Sequence, residues 1–296
     1  MTPRYCLLDR IACVAVHGAD AQSFLQAQLS FDVANLTSGH APLVGWHDPK
    51  GRVRALFRVL RQADRWVLMT PRDMLDTLLP RLSMYVLRAA VNVASAPDLQ
   101  AAAVLDADEW VNARGVGNLD VGTVAAHDGL DWIRVGPGLV HVVGTAGAIA
   151  TAVRALDTAP REHAELAEIK LGLPAVTHAL TERFVAQMLN LDRLGAISFT
   201  KGCYPGQEVI ARVHNLGSVK RRMRRYSARG AQVPSAGAEV IRADGTAVGE
   251  VVRAAPDADR IELLAVVEHE AAAAALTIAP NTTLVLEPLP YDVPAR

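Results

Sequence analysis

Beyond Arg221 the chain changes character. Short runs rich in β-forming residues recur between Gly, Pro and Asp punctuation, over 224–228, 239–242, 247–253, 261–267 and 283–287. That spacing predicts a small antiparallel barrel or sandwich with a core of its own. Upstream, helical and strand periodicities mix, so the fold class is α+β. A length of 296 residues provides for two domains, or three small ones.

The upstream elements follow from local pattern. Residues 7–16 read as one apolar strand ending at His17-Gly18, after which Asp20 stands where an N-cap belongs, before a stripe of Ala21, Phe24, Leu25 and Leu29. Asp48-Pro49-Lys50-Gly51 is a turn signal. After it, Val53, Ala55, Phe57 and Val59 alternate with a face carrying Arg52, Arg54 and Arg58, and 66–70 is the expected hairpin partner. That arginine face suits either an anionic ligand or a row of acid-paired structural contacts. Pro71 opens a helical pattern running through Met74, Leu78, Leu82 and Val86, with Pro80 inside it predicting a kink or a break. Strands are expected over 90–95 and 101–105, then a Gly-rich, weakly patterned middle. Helices are expected over 148–156 and 162–171, the second stopped by Gly172-Leu173-Pro174.

Charge and composition exclude several classes. With 30 Lys+Arg against 31 Asp+Glu the chain has no overall polybasic coat, and 51% hydrophobic residues are too many for a disordered chain. No run approaches the ~18 consecutive apolar residues of a membrane span. Cys6, Cys13 and Cys203 are too few for a disulfide framework, and nine scattered His offer no metal-ligand spacing, so no metal site is expected. A reducing, cytoplasmic setting is the expectation.

The segment most informative about chemistry is Lys201-Gly202-Cys203-Tyr204-Pro205-Gly206-Gln207-Glu208. Two glycines and a proline within six residues make an exposed turn, and a helix pairing Glu208 with Arg212 is expected to follow it. Cys203 then precedes a helix N-terminus and follows a cation by two residues, both of which stabilise a thiolate. An inert buried thiol is the alternative that these residues alone leave open. Cys6 and Cys13 lie in apolar stretches and read as packing, and His214 reads as a polar loop residue.

Together with Asn190-Leu191-Asp192-Arg193-Leu194-Gly195, Phe199 and Lys220-Arg221-Arg222, this segment resembles the signature of the YgfZ family. His17-Gly18-Ala19-Asp20, the Lys50-Gly51 turn, Leu171-Gly172-Leu173-Pro174 and Glu287-Pro288-Leu289-Pro290-Tyr291 fit that family in the correct order along nearly the whole chain. The resemblance implies a fold like the aminomethyltransferase, or T-protein, of the glycine cleavage system. A folate-binding core of intertwined subdomains over 1–218 would be followed by an antiparallel β-barrel over 219–296. It further implies a folate-dependent accessory role in iron–sulfur cluster assembly or repair, supporting 4Fe–4S enzymes that include tRNA-modifying ones. Tetrahydrofolate would be the cofactor, a transient cluster a further ligand, and iron–sulfur client or scaffold proteins the partners.

In that reading Cys203 is the reacting group and Lys201 helps hold it as thiolate. Gly202 and Gly206 shape the loop, which Tyr204, Gln207, Glu208 and Arg212 complete. T-proteins carry an acid after the glycine turn, whereas this chain continues Arg52-Val53-Arg54-Ala55, with no carboxylate until Asp64. A tetrahydrofolate-dependent one-carbon transferase is the alternative, and aminomethyl transfer lacks its general acid/base. Lys170 stands where T-proteins place a glutamate for the pterin, and lysine has donors only, so Glu168 is the neighbouring acceptor. Lys220, Arg221, Arg222, Arg224 and Arg225 suit a phosphate-binding strip for tRNA or a polyglutamate tail, which makes a tRNA- or partner-binding module the second alternative. With Tyr226 the one aromatic close by, a strand whose arginines pair with nearby acids is favoured.

Overall fold

The computed structural model describes residues 2–217, 219–230, 232–278 and 282–294. By compactness the chain divides into two units, each discontinuous in sequence. One comprises Met1–Trp46, Ala55–Ala164 and Thr200–Tyr204; the other comprises His47–Arg54, Glu165–Phe199 and Pro205–Arg296.

The first unit is built on two sheets. A five-stranded sheet runs in the order Leu43–His47, Val53–Arg61, Trp66–Pro71, Ile11–His17, Asn92–Ser95. The expected hairpin is present, with Arg58 opposite Met69 and Leu60 opposite Val67. Helices Ala21–Gln28 and Leu75–Ser83 bury Leu25, Leu29, Leu78 and Leu82 against Trp46, Phe57 and Leu68 of this sheet. The second helix ends three residues after Pro80, so Val86 lies in turns beyond it.

The six-stranded sheet runs Asp157–Thr158, Arg4–Leu7, Gln100–Leu105, Leu139–Gly144, Leu130–Gly136, Val124–His127. Trp132, Val104, Val140 and Val142 pack there with Val111 and Ile149 from helices Asp108–Ala113 and Ala146–Val153. Thr145 starts the latter helix two residues earlier than expected, because its hydroxyl accepts the N–H of Ala148.

Three expectations for this unit need correction. Residues 7–16 are not one strand. The N–H of Ile11 donates to the carbonyl of Leu8 at 2.9 Å, and the turn sends Arg4–Leu7 into the six-stranded sheet and Ile11–His17 into the five-stranded one. The weakly patterned middle holds a hairpin, Leu130–Gly136 with Leu139–Gly144, turning at Gly138 in the left-handed region. Asp20 occupies the N-cap position without capping. Its carboxylate accepts the N–H of Ala90 instead, at 2.8 Å.

In the second unit six strands close into a barrel. The order is Arg221–Arg229, Arg260–Glu268, Ala247–Asp257, Glu239–Arg242, Leu276–Ile278 and Thr282–Glu287, and the last pairs back onto the first. Leu276–Ile278 is the strand that sequence punctuation misses. Tyr226, Val240, Val251, Leu263 and Leu276 fill the interior, and the Tyr226 hydroxyl donates to the carbonyl of Ala272. A closed barrel has no free edge, which decides against the sandwich. Among the described residues no helix is long and apolar enough to cross a membrane.

Candidate functional site

The signature segment is shared out along the chain, Thr200–Tyr204 to the first unit and Pro205 onward to the second. In the first unit, helix Ala21–Gln28 has no basic residue in its last turn, where four carbonyls lack intrahelical partners. Lys201 serves that end. Its buried ammonium donates to the carbonyls of Gln26, of Leu29 at 2.7 Å and of Phe31 at 3.0 Å. Burial pushes its pKa down to about 8, and the Asp32 carboxylate pulls the other way. The ammonium also sits 5.2 Å from the ring centroid of buried Tyr204, whose hydroxyl burial pushes up to about 12. Expected as a cation in the service of Cys203, Lys201 has its ammonium on three backbone carbonyls, which makes it the anchor of its segment.

Between these two anchored side chains, Gly202 and Cys203 are exposed. A Cβ on Gly202 would meet nothing within 4 Å, so space does not require glycine there, contrary to the loop-shaping role expected of it. Cys6 and Cys13 are buried, and burial, with Asp98 adding to it, pushes the Cys13 thiol up to about 11. Of the three thiols only Cys203 meets solvent.

In the second unit Gly206 is the N-cap of helix Gln207–Leu216, with φ +80°. A Cβ there would lie 2.5 Å from the carbonyl oxygen of Asp48 and 2.7 Å from Cα of Gly51. Two loops distant in sequence thus touch through bare backbone. The Asp48 turn is itself braced, since its carboxylate accepts the N–H groups of Lys50 at 2.9 Å and Arg52 at 2.8 Å. Exposed Glu208 pairs with Arg212 at 2.8 Å as expected, and Gln207 opens the same helix. His214 belongs to this helix rather than to a loop, its ring stacked 3.8 Å from that of Phe199.

The basic run spends most of its charge internally. The Arg222 guanidinium is buried, binds the Asp192 carboxylate through both terminal nitrogens at 2.9 Å, and donates to the carbonyl of Gln187. Asn190 donates to the carbonyl of Met223 and accepts from Arg222, so the Asn190-Leu191-Asp192 stretch is a clamp on the barrel's first strand. Arg221 pairs with Glu268 at 2.9 Å and Arg225 with Glu262 at 3.2 Å. Arg224 lies 3.4 Å from the Nδ1 of His269 and lines a groove of about 300 Å³ with Leu289 and Tyr291. Lys220 is exposed. The acid-paired reading of this run is the one the geometry carries. The arginines before it are likewise engaged, Arg54 with Glu182 at 2.8 Å in the second unit and Arg58 with the carbonyl of Ala41 in the first.

No family model matches the chain. Curated proteins do. It is 32% identical over 243 residues to the tRNA-modifying protein YgfZ of Klebsiella pneumoniae (strain 342), covering 79% of this chain and 74% of that one. It is 30% identical to the tRNA-modifying protein YgfZ of Enterobacter sp. (strain 638), over 97% of this chain and 92% of the other. The chain belongs to the YgfZ family. Its fold is T-protein-like: the crystal structure of glycine cleavage system aminomethyltransferase T from Bartonella henselae matches 96% of this chain and 84% of its own, with a TM-score of 0.76 and 14% identity.

In this YgfZ protein the two residues expected to meet folate, Lys170 and Glu168, lie on one helix, Glu162–Lys170, with different partners. Lys170 does not fit an acceptor's place, since it has donors only and pairs with Asp257 at 2.7 Å. Glu168 fits better. It is an acceptor by chemistry, and Arg253 orients it, donating to one of its oxygens at 2.7 Å. Arg253 also donates to Glu165 at 2.6 Å and to the carbonyl of Leu173. Burial works against its charge, but Glu165 and Glu168 outweigh that and hold the guanidinium above its usual range. Sequence reasoning passes over Arg253, which looks like one more charged residue between strand positions. It also leaves unexplained the pairing of Leu171-Gly172-Leu173-Pro174 with the Tyr291 motif. The Tyr291 hydroxyl donates to the carbonyl of Gly172 at 2.7 Å, and a Cβ on Gly172 would stand 2.8 Å from that ring. Among the described residues no group of three or more His, Cys, Asp or Glu side chains is placed to hold a metal ion.

Proposed function

We propose that this YgfZ protein is a folate-dependent accessory factor for assembly or repair of iron–sulfur clusters, and that it supports 4Fe–4S enzymes including tRNA-modifying ones. Cys203 is its reacting group. One observation carries the reading: the exposed thiol stands in a segment whose Lys201 is tied to three carbonyls, while the other two thiols are buried. A soft sulfur ligand held out on an anchored segment suits the handling of sulfur or iron. Clients and scaffolds of cluster assembly are the partners, in a cytoplasmic setting, and the relatives' names join the role to tRNA modification.

Tetrahydrofolate is the proposed cofactor, with Glu168 as the acceptor for the pterin's donor edge. Aminomethyl transfer is not part of the proposal, because Arg52 follows the glycine turn and the chain has no carboxylate from there until Asp64. The module that binds tRNA through the basic run is set aside, because Arg221, Arg222 and Arg225 are already paired with carboxylates.

The test is genetic and spectroscopic. In a strain lacking its own copy, the wild-type chain should restore the activity of a tRNA-modifying 4Fe–4S enzyme, and Cys203→Ser should not. Full restoration by the serine variant would remove the thiol from the function. Tetrahydrofolate titrated by fluorescence should bind the wild type and bind Glu168→Gln at least tenfold more weakly; equal binding would remove Glu168 from the site.

A further inference from the structure

The His17-Gly18-Ala19-Asp20 motif finds its work in the turn that follows helix Leu75–Ser83. A Cβ on Gly18 would lie 2.1 Å from the carbonyl oxygen of Ala90, so the chain passes there only as glycine, at φ +121°. The Asp20 carboxylate accepts the N–H of Ala90 at 2.8 Å, and the N–H of Asp20 donates back to the Ala90 carbonyl at 3.3 Å. The turn itself is closed by Tyr85 N–H on Leu82, Val86 N–H on Ser83 and Ala89 N–H on Val86. Tyr85 packs edge-on to buried Trp46, ring centroids 6.1 Å apart. This is a built and pinned turn.

What it presents is apolar. Met84 is 74% exposed and Leu87 is 89% exposed. Leu87 also has φ +49°, a conformation that costs a bulky residue energy and that glycine or asparagine would adopt with less strain. Leu87 thus combines strain with exposure, and strained residues cluster at active sites, ligand clamps and switch regions. Charge narrows the user. Arg88 on the turn is exposed, and the Asp20 carboxylate beside it is taken by the N–H of Ala90.

We propose that the turn Met84–Leu87 docks a partner protein whose surface sets carboxylates around an apolar recess. Leu87 is the anchor, Met84 adapts to the recess wall, and Arg88 steers the approach. RNA is disfavoured because neither aliphatic side chain stacks on a base and Tyr85 is turned edge-on to Trp46. A membrane is disfavoured because two aliphatic side chains bury less than one acyl chain, which by itself anchors only marginally. A second copy would bring like charges together.

The turn and Cys203 are tested apart, since the proposal rests on the protein acting through other proteins. p-Benzoylphenylalanine is introduced at Met84 of the full chain in cells, with exposed Val121 as the control position. Irradiation is expected to give a discrete adduct with another protein at 84 and none at 121, mapped by mass spectrometry to an acid-rich surface of that protein. Arg88→Glu and Leu87→Gly should each cut that adduct at least tenfold. Leu87→Gly should meanwhile raise Tm by about 2 °C, because glycine accepts the left-handed backbone, and Cys203→Ser should leave the adduct unchanged. An adduct with a second copy or with RNA, sedimentation of the purified chain with phosphatidylserine vesicles, no adduct at 84, or an adduct indifferent to both turn variants would overturn the proposal.

Discussion

Gly206 and Gly51 meet backbone to backbone, the first with no room for a side chain and the second with little. A Cβ on the first would stand 2.7 Å from Cα of the second, and a Cβ on Gly51 would press on Val209 at 3.2 Å. Both residues have positive φ, +80° and +75°. The two glycine turns of the signature are therefore one structural object.

Gly206→Ala should destabilise the protein by about 2 kcal/mol or more, since it combines backbone strain with contacts that neither loop can relieve. Gly202→Ala, whose Cβ would meet nothing, should stay within about 0.5 kcal/mol of wild type. Urea midpoints of the two variants decide it. Equal losses would mean that the close approach at Gly51 does not matter.

The Arg222–Asp192 pair is nearly out of solvent, with side chains 7% and 11% exposed. Asp192→Ala strands a buried guanidinium and should cost about 3–5 kcal/mol. The double variant Asp192→Leu/Arg222→Met removes both charges and should recover most of that loss. A double variant as unstable as the single one would show that packing, and not the uncompensated charge, sets the cost.

Thiol alkylation separates the cysteines. Iodoacetamide at pH 8 should modify one equivalent in the native protein, at Cys203, and the remaining two only after unfolding. Native Cys203→Ser should take up none. Rapid modification of Cys13 in the native state would contradict the burial that pushes its thiol up to about 11.

His47 sets an acid limit. Burial lowers its pKa from 6.5 to about 3, so the unfolded chain takes up a proton that the folded chain refuses. Between those values the unfolded state binds more protons, and stability falls as pH falls. The contribution is complete above about 6.5 and is lost progressively toward 3. Urea midpoints at pH 7, 6 and 5 should decline less steeply in His47→Gln than in wild type; parallel declines would place the acid limit elsewhere.

What the sequence makes legible is what side-chain pattern encodes. Alternation marks the strand Val53–Arg61 and its partner, and Gly, Pro and Asp mark five of the six barrel strands. The split between Arg4–Leu7 and Ile11–His17 is hidden because both halves are apolar and nothing in their residues tells one sheet from another. The hairpin ending at Gly144 is hidden because its strands are buried too fully to alternate. In the candidate site Cys203 is legible as a thiol among turn residues. The partners of Lys201 are not, because backbone carbonyls are the same at every position. Asp20 shows the reverse error, a good capping residue recruited by a carbonyl and amide far along the chain.

The helix near the N-terminus receives its closing cation from a residue 172 positions beyond Leu29. The first unit likewise needs Thr200–Tyr204 to be complete. On a ribosome, where domains fold as their segments emerge, this unit therefore cannot finish while its own strands and helices are all that has been made. It waits through the synthesis of Glu165–Phe199, residues that belong to the other unit. The lysine that completes it arrives two residues ahead of Cys203. The last segment of the N-terminal unit and the Cys203 thiol thus reach the nascent chain together, with the whole barrel still to be made.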